Sequence, residues 1–400
     1  MIVIFLTMSR VNGISNRGIY SDLMRCFRNN GHSVYIVSPR ERSLGGTEGL
    51  IEVDGIHILG VRTLNLQKTS IIEKGAGQIM VEGQYKRAIK KYLKGVPFDL
   101  ILYSTPPITF PRVISFLKRD NPHALTYLLL KDIFPQNAVD IGMLYKTGIR
   151  GLLYRFFRKK EKKLYALSDY IGCMSPANVE YIVKHNSEIA PEKIEVAPNS
   201  IELTPKEVVN RDAVRQKYGL PIERPIFIYG GNLGRPQGIP YLIECLETNG
   251  NREDCFFVIV GSGTERQRLI SWYEREKPKS VLIMDNLPKE DYDMLVASCD
   301  VGLIFLDHRF TIPNYPSRLL PYLENKMPII AATDTNCDAG KIAEENGYGF
   351  WCESDSSEAF TVALDKMIHV DRLKMGEKGF EFLCKNYLVQ DTYNTIIKHV

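Results

Sequence analysis

The sequence predicts an α/β protein of two domains, each built on a mostly parallel, doubly wound sheet. Three observations carry that prediction. Short apolar runs rich in β-branched residues alternate with amphipathic stretches along the chain, the pattern of strands buried on both faces by crossover helices. The alternation breaks once, near the midpoint, and then restarts. A chain of 400 residues also exceeds one compact core but suits two of about 150–200 residues each.

In the first half, residues 1–6 (MIVIFL) read as a buried strand, followed by a loop over 7–17 and an amphipathic helix over 19–29. Gly31 and His32 turn the chain into a second strand at 34–37. Strands follow at 99–103, 125–130, 170–174 and 194–197, with helices at 111–119 and 149–167. The stretch from Ala197 to Pro205 is the most linker-like. Beyond it, strands are predicted at 225–229, 256–260, 281–284, 301–305 and 328–332. Helices are predicted from Ile239, from Glu265, near 290–297 and near 317–324, the last capped by Ser317. The domains expected are therefore 1–200 and 201–380. Ligands of such sheets bind beyond the carboxyl ends of the strands, so two facing domains imply a cleft between them.

Composition excludes several classes. Apolar residues at 44% and charged residues at 24% rule out a disordered chain. No run of about 18 apolar residues occurs, so no membrane span is expected. Eight cysteines lie scattered without a Cys-x-x-Cys pair, which fits reduced thiols in a cytosolic protein. The seven histidines show no ligand spacing, and no metal is expected. Asp291-Tyr292-Asp293 has an Asp-x-Asp spacing but falls on a predicted helix, where the two side chains diverge. Residues 1–200 hold 28 Lys/Arg against 17 Asp/Glu, whereas the net charge of the whole chain is +4. A basic front half suits nucleic acid, an anionic membrane or a phosphorylated substrate; the absence of any reader motif argues against nucleic acid.

Two turns in the second half could hold an anion. Gly231, Asn232, Leu233, Gly234, Arg235, Pro236, Gln237 and Gly238 join a strand to a helix. Glycines there admit close backbone approach, the helix N-terminus adds its dipole, and Arg235 and Gln237 add donors. A ligand-free glycine-rich connector is the alternative. The segment from Thr311 through Asn314, Tyr315, Ser317 and Arg318 repeats the arrangement after another strand, unless its residues serve only loop and cap. In the first half, Lys131 and Asp132 end a strand. Asp132 suits a proton acceptor for a substrate hydroxyl; a salt-bridged loop carboxylate is the alternative. Gly13, in the loop after the first strand, could bring backbone amides to a phosphate or merely serve a turn. Residues 146–163 carry eight Lys/Arg and one acid among Leu152, Leu153, Tyr154, Phe156 and Phe157. Leu152, Phe156 and Leu164 would share one helix face, suited either to an anionic bilayer or to packing on the sheet.

Together these segments resemble the family 4 retaining glycosyltransferases of GT-B architecture, in the branch building bacterial O-antigen or capsule. The resemblance runs over nearly the whole chain, through the Gly13 loop, residues 30–34, Lys131–Ala138, Gly231–Gly238, Gly261-Ser262-Gly263 and Pro316–Leu320. The spelling of 131–138 and 311–320 is most similar to transferases of N-acetyl-fucosamine-type sugars. The resemblance implies a UDP-sugar donor held by Gly231, Asn232, Arg235, Gln237 and Arg318, with backbone contacts from Asn314, Tyr315 and Ser317. It places Gly261, Gly263 and Leu287 along the nucleotide. It further implies a saccharide acceptor on a polyprenyl diphosphate, retention of configuration, no metal or other cofactor, and residues 381–400 packing back on the first domain. A cytoplasmic enzyme peripheral to the inner membrane through 146–163 follows. The sequence departs from the family at Lys131, where many relatives have histidine, and at Asn232 and Gln237, where many have Arg and Lys. Pro313 and Pro321 stand where many have glutamates. A sugar-nucleotide epimerase of the same architecture, or a non-catalytic nucleotide-sugar-binding protein, therefore stays open.

Overall fold

The apolar runs pair side by side, as buried parallel strands must. The computed structural model describes residues 1–45, 47–64, 71–204 and 208–400, so Pro205 of the expected linker lies outside the described residues. Two compact units emerge: residues 1–202 with 388–400, and residues 203–387.

The first unit holds β1 (Ile2–Leu6), β2 (Ser33–Glu41), β3 (Gly49–Val53), β4 (Ile56–Thr63), β5 (Leu100–Ser104), β6 (Leu125–Leu130), β7 (Tyr170–Cys173) and β8 (Ile194–Val196). Their order is β3-β4-β2-β1-β5-β6-β7-β8, parallel throughout except for β3 against β4. That hairpin is absent from the expected elements. Its signal was local: Asp54 and Gly55 both take positive φ, at 53° and 71°, the Asp-Gly turn that joins two antiparallel strands.

The second unit holds β9 (Ile226–Asn232), β10 (Phe256–Ser262), β11 (Val281–Met284), β12 (Val301–Phe305), β13 (Ile329–Thr333) and β14 (Gly349–Glu353). All are parallel, in the order β11-β10-β9-β12-β13-β14. The order reverses between β9 and β12, and that switch point is where doubly wound sheets open a crevice at the carboxyl ends of their strands. In the first unit the equivalent reversal lies between β1 and β5.

The final segment divides later than Glu381. Helix Arg372–Asn386 stays with the second unit, where the Phe382 ring packs tilted against Tyr348 and edge-on against Tyr387. Helix Val389–Ile397 joins the first unit. Its Val389, Tyr393 and Ile396 enter the core with Phe27 and Val34, and His32 Nε2 lies 2.8 Å from the Tyr393 hydroxyl.

Glycines at the switch-point end of the second sheet serve backbone contact. Gly261 pairs with Gly231 across β10 and β9. A Cβ on Gly261 would stand 1.9 Å from the Gly231 carbonyl oxygen, and its φ is +154°. A Cβ on Gly263 would stand 2.3 Å from the Leu233 carbonyl. Gly261→Ala is therefore expected to destabilise the protein by about 2–5 kcal/mol, from backbone strain plus overpacking. Equilibrium unfolding in urea checks this; a loss below about 0.5 kcal/mol, the scale of an ordinary surface change, contradicts it.

Candidate active site

In the second unit, two loops meet at the switch point. After β9, Leu233 N–H donates to the Ser262 carbonyl at 2.8 Å. A 3-10 turn over Arg235–Gln237 follows; Pro236 has no N–H and the Gln237 N–H donates to the Gly234 carbonyl at 3.1 Å, so the Arg235 amide is the one opening donor without a partner within the turn. Helix Ile239–Asn249 then starts behind Gly238, which is left-handed at φ 58°. The loop after β12 contacts this turn through Asp307, whose N–H donates to the Pro236 carbonyl at 3.0 Å. Asp307 also takes a two-pronged bond from Arg309, at 2.8 and 2.7 Å. Sequence reasoning missed this pair: the buried Asp307 carboxylate holds the exposed Arg309 within its own loop, and the tie to the other loop is made by the Asp307 backbone.

Arg318 is the electrostatic feature of the corner. Its guanidinium lies over the Tyr229 ring, 4.2 Å from the centroid, beside Gly231. Aromatic faces attract and orient such cations. Its Nη1 is buried and has no hydrogen-bond partner among the described residues. A buried cationic donor without an acceptor is costly, and an anion in the crevice removes that cost. Gly230 is needed just beneath, since a Cβ there would collide with the Tyr292 hydroxyl at 1.9 Å.

The other expected donor-binding residues divide. Arg235 is over half exposed, and its Nε lies 3.5 Å from Glu265, so its charge is partly answered within the chain. Asn232 Nδ2 donates to Gln237 Oε1 at 3.1 Å, bracing the loop. The Asn314 carbonyl accepts from Cys337 Sγ at 2.9 Å. Tyr315 is buried with its hydroxyl bonded to that of Tyr387, which commits its side chain to the core. Ser317 does not cap the helix. That helix runs Leu319–Glu324 with Arg318 at the cap position in right-handed geometry and no side-chain cap bond; Pro316, two residues before Arg318, accepts Leu319 N–H through its carbonyl instead. Leu287 is half-buried beyond β11, two strands from β9, or about 10 Å. Beside it, Asn286 Nδ2 donates to Ser262 Oγ at 2.7 Å.

In the first unit, Lys131 and Asp132 follow β6. The Thr105 hydroxyl, just past β5, accepts from the amides of Lys131 and Asp132 at 3.0 and 3.3 Å and donates to the Asp132 carbonyl at 3.2 Å. One side chain thus fixes the backbone of both. They do not pair with each other. Lys131 Nζ donates to the Ala197 carbonyl at 2.9 Å, and burial lowers its amine to about 7. Asp132 Oδ1 accepts from Asn137 Nδ2 at 2.6 Å. Desolvation outweighs that bond and lifts its carboxyl to about 6. A carboxylate held near neutrality without a cationic partner suits proton transfer, and the salt-bridged alternative does not describe it.

The Gly13 loop is occupied by the chain itself. Asp54 Oδ2 accepts from the Ile14 and Ser15 amides at 2.8 and 3.1 Å, and a Cβ on Gly13 would stand 2.7 Å from that oxygen. The turn thus gathers amides around a carboxylate, but that carboxylate is internal. The Ser15 side chain, and after it these amides, hold Asp54 below the usual carboxylate range.

Helix Gly151–Ala166 orients differently from the expected stripe. Leu164 is fully buried, as are Phe157 and Glu161. Ile149, Leu152, Leu153 and Phe156 are exposed instead, Ile149 at 88%. Arg158, Lys160 and Lys162 pair with Glu161, Glu82 and Glu188. Among the described residues, Lys146, Arg150, Arg155, Lys159 and Lys163 form no ion pair. No described helix is long and apolar enough to cross a membrane, and no described group of His, Cys, Asp and Glu could hold a metal ion.

Comparison with known proteins relates this geometry to glycosyltransferases. Residues 210–382 match the model of glycosyl transferases group 1. The chain is similar to the probable glycosyltransferase WbjE of Pseudomonas aeruginosa, 22% identical over 323 residues, covering 80% of this chain and 78% of that protein. Among solved structures it resembles WaaG, a glycosyltransferase involved in lipopolysaccharide biosynthesis, at 14% identity and TM-score 0.67 over 98% of this chain and 99% of that one. It also resembles Anabaena HepE in complex with UDP, at 15% identity and TM-score 0.68 over 100% and 99%. The fold is that of the GT-B transferases, two Rossmann-like sheets. The part of the chain that matches the group 1 glycosyltransferase model falls within the second unit, which carries the switch-point corner.

Proposed function

We propose that the chain transfers a sugar from a UDP-sugar to a saccharide carried on a polyprenyl diphosphate, in bacterial surface polysaccharide synthesis, with retention of configuration. The observation that carries this reading is the unpaired Arg318 Nη1 at the β9/β12 switch point, a built position for a diphosphate. HepE with UDP and WaaG in lipopolysaccharide synthesis support the choice of nucleotide and pathway class. As the glycosidic bond to the donor breaks, negative charge grows on the leaving diphosphate. A guanidinium already held on the Tyr229 face stabilises that charge without reorganising. Arg235 adds a second, exposed cation at the rim. Asp132 takes the proton of the acceptor hydroxyl as the new bond forms, and Thr105 fixes the backbone that carries it. Sugar-ring contacts fall to the backbone around Asn314 and Ser317, with an N-acetyl-fucosamine-type sugar as the donor glycosyl group.

Thermal stabilisation by a panel of UDP- and GDP-sugars tests the donor class. A UDP-sugar is expected to raise the melting temperature, since a ligand bound only by the folded state stabilises it, and a response confined to GDP-sugars contradicts the reading. The acceptor's lipid calls for a membrane-facing surface, and the exposed Ile149, Leu152, Leu153 and Phe156 with their unpaired basic neighbours supply one. Five basic residues at about 1 kcal/mol each suffice for measurable attraction. Co-sedimentation is expected with phosphatidylglycerol vesicles but not phosphatidylcholine vesicles, and to fall in Leu152→Glu/Phe156→Glu. Wild-type protein left in the supernatant with both lipids removes this surface from the proposal.

A further inference from the structure

A second basic site lies on the first unit, away from Asp132. A cavity of about 290 Å³ opens at the carboxyl ends of β2 and β4, lined by Arg42, Arg62 and Arg87 together with Glu48, Thr63 and Gln84. Glu48 is directed to Lys91, at 3.8 Å, and among the described residues no carboxylate pairs with the three arginines. Like charges also stand on neighbouring strands: Arg40 is the register partner of Arg62, and Arg40 is buried with, among the described residues, only the Ser38 hydroxyl and the Pro39 and Val11 carbonyls as acceptors. Such an arrangement is unfavourable unless an anion answers it.

Two buried polar atoms point to the same kind of ligand. Thr63 is 2% exposed, and its Oγ1 has no hydrogen-bond partner among the described residues; Gln84 Oε1 has none either. Buried polar atoms normally find partners. The guanidinium groups and the Thr63 hydroxyl are donors that match phosphate oxygens, guanidinium bidentately. Gln84 Oε1 is an acceptor and requires an O–H or N–H. A phosphate attached to a hydroxylated group satisfies both. The volume lies at the small end of ligand pockets, which suits a phosphate with one sugar ring better than a whole nucleotide sugar.

We propose that this cavity binds a sugar-linked phosphate or diphosphate. It lies three to four strand spacings from β6 along the same sheet edge, roughly 14–19 Å, the reach of a few sugar rings. That spacing suits the phosphate end of an acceptor whose far sugar lies at Asp132, an assignment that rests on the transferase reading above. A free sugar phosphate shares the chemistry.

Calorimetric titration of the full chain with glucose 1-phosphate and with inorganic pyrophosphate, in saturating UDP to fill the donor corner, tests the binding. Arg62→Gln/Arg87→Gln is expected to weaken both by about tenfold or more, the scale of lost charge-assisted hydrogen bonds. An unchanged UDP-induced thermal shift shows that the variant is folded. Transfer assays then separate the sources. A KM rise confined to diphosphate-linked acceptor, and absent with the same saccharide as a neutral octyl glycoside, assigns the cavity to the acceptor. Lost phosphate binding with both KM values unchanged assigns it to a free sugar phosphate. Wild-type protein that binds neither probe, or a double variant that binds them equally well, overturns the proposal. Failure of UDP to stabilise the wild type counts against the donor reading alone, and the titrations repeated without UDP still decide the cavity.

Discussion

Arg318→Ala is expected to lower turnover of the donor sugar by about 10²–10³-fold, the effect of removing one preorganised charge from a developing anion. The folded state is expected to change little. The substitution removes a buried unsatisfied donor, which favours folding, and a cation on the Tyr229 face worth about 0.5–1 kcal/mol. These offset, so urea unfolding is expected to stay within about 1 kcal/mol of wild type. Arg318→Lys keeps the charge but not the planar fork that reaches from the ring face to two oxygens, and is expected to recover only part of the rate. Steady-state kinetics with saturating donor check this. A variant with normal turnover, or one that fails only because it unfolds, contradicts the role given to Arg318.

Asp132→Asn is expected to lower transfer to acceptor by about 10²–10⁴-fold, the range for loss of a general base. Its pH dependence supplies a second readout. Because burial lifts the Asp132 carboxyl to about 6, the wild-type rate rises with pH through that value as the group loses its proton, then levels. The variant keeps no such limb. The linkage to stability has the opposite sign. A carboxyl whose folded pKa exceeds its unfolded value of 3.8 contributes fully below about 3.8 and loses that contribution as pH climbs to about 6. Activity and stability thus move in opposite directions between pH 4 and 6. A rate independent of pH across that window, or an Asn variant with unchanged transfer, removes the proton-acceptor role.

The parallel strands were legible because burial on both faces writes them as continuous apolar runs: residues 1–6, 125–130 and 301–305 all became strands. The β3–β4 hairpin was missed because Gly49–Val53 lies at a sheet edge and is mostly exposed, leaving no buried apolar run and one Asp-Gly turn. The switch-point corner was legible as composition, since Gly231, Gly238 and Arg318 stand in strand-to-loop segments. The work of its members was not. Arg235 and Arg318 look equivalent in sequence, yet Glu265 partly answers one, while the other lies on Tyr229 with its Nη1 unpartnered among the described residues. Those distinctions depend on residues far away in the chain. The same holds for the Gly13 loop, whose Ile14 amide is turned by Asp54 from forty residues away, and for Leu164, which faces the core on a helix whose exposed stripe lies two to three turns earlier.

The location of bound UDP in crystals of the full chain bears most directly on the donor corner. The expected result is a diphosphate at the carboxyl ends of β9 and β12, within hydrogen-bond reach of Arg318 Nη1 and the Arg235 amide. A diphosphate bound elsewhere, with Arg318 Nη1 still unpaired against Tyr229, would contradict it.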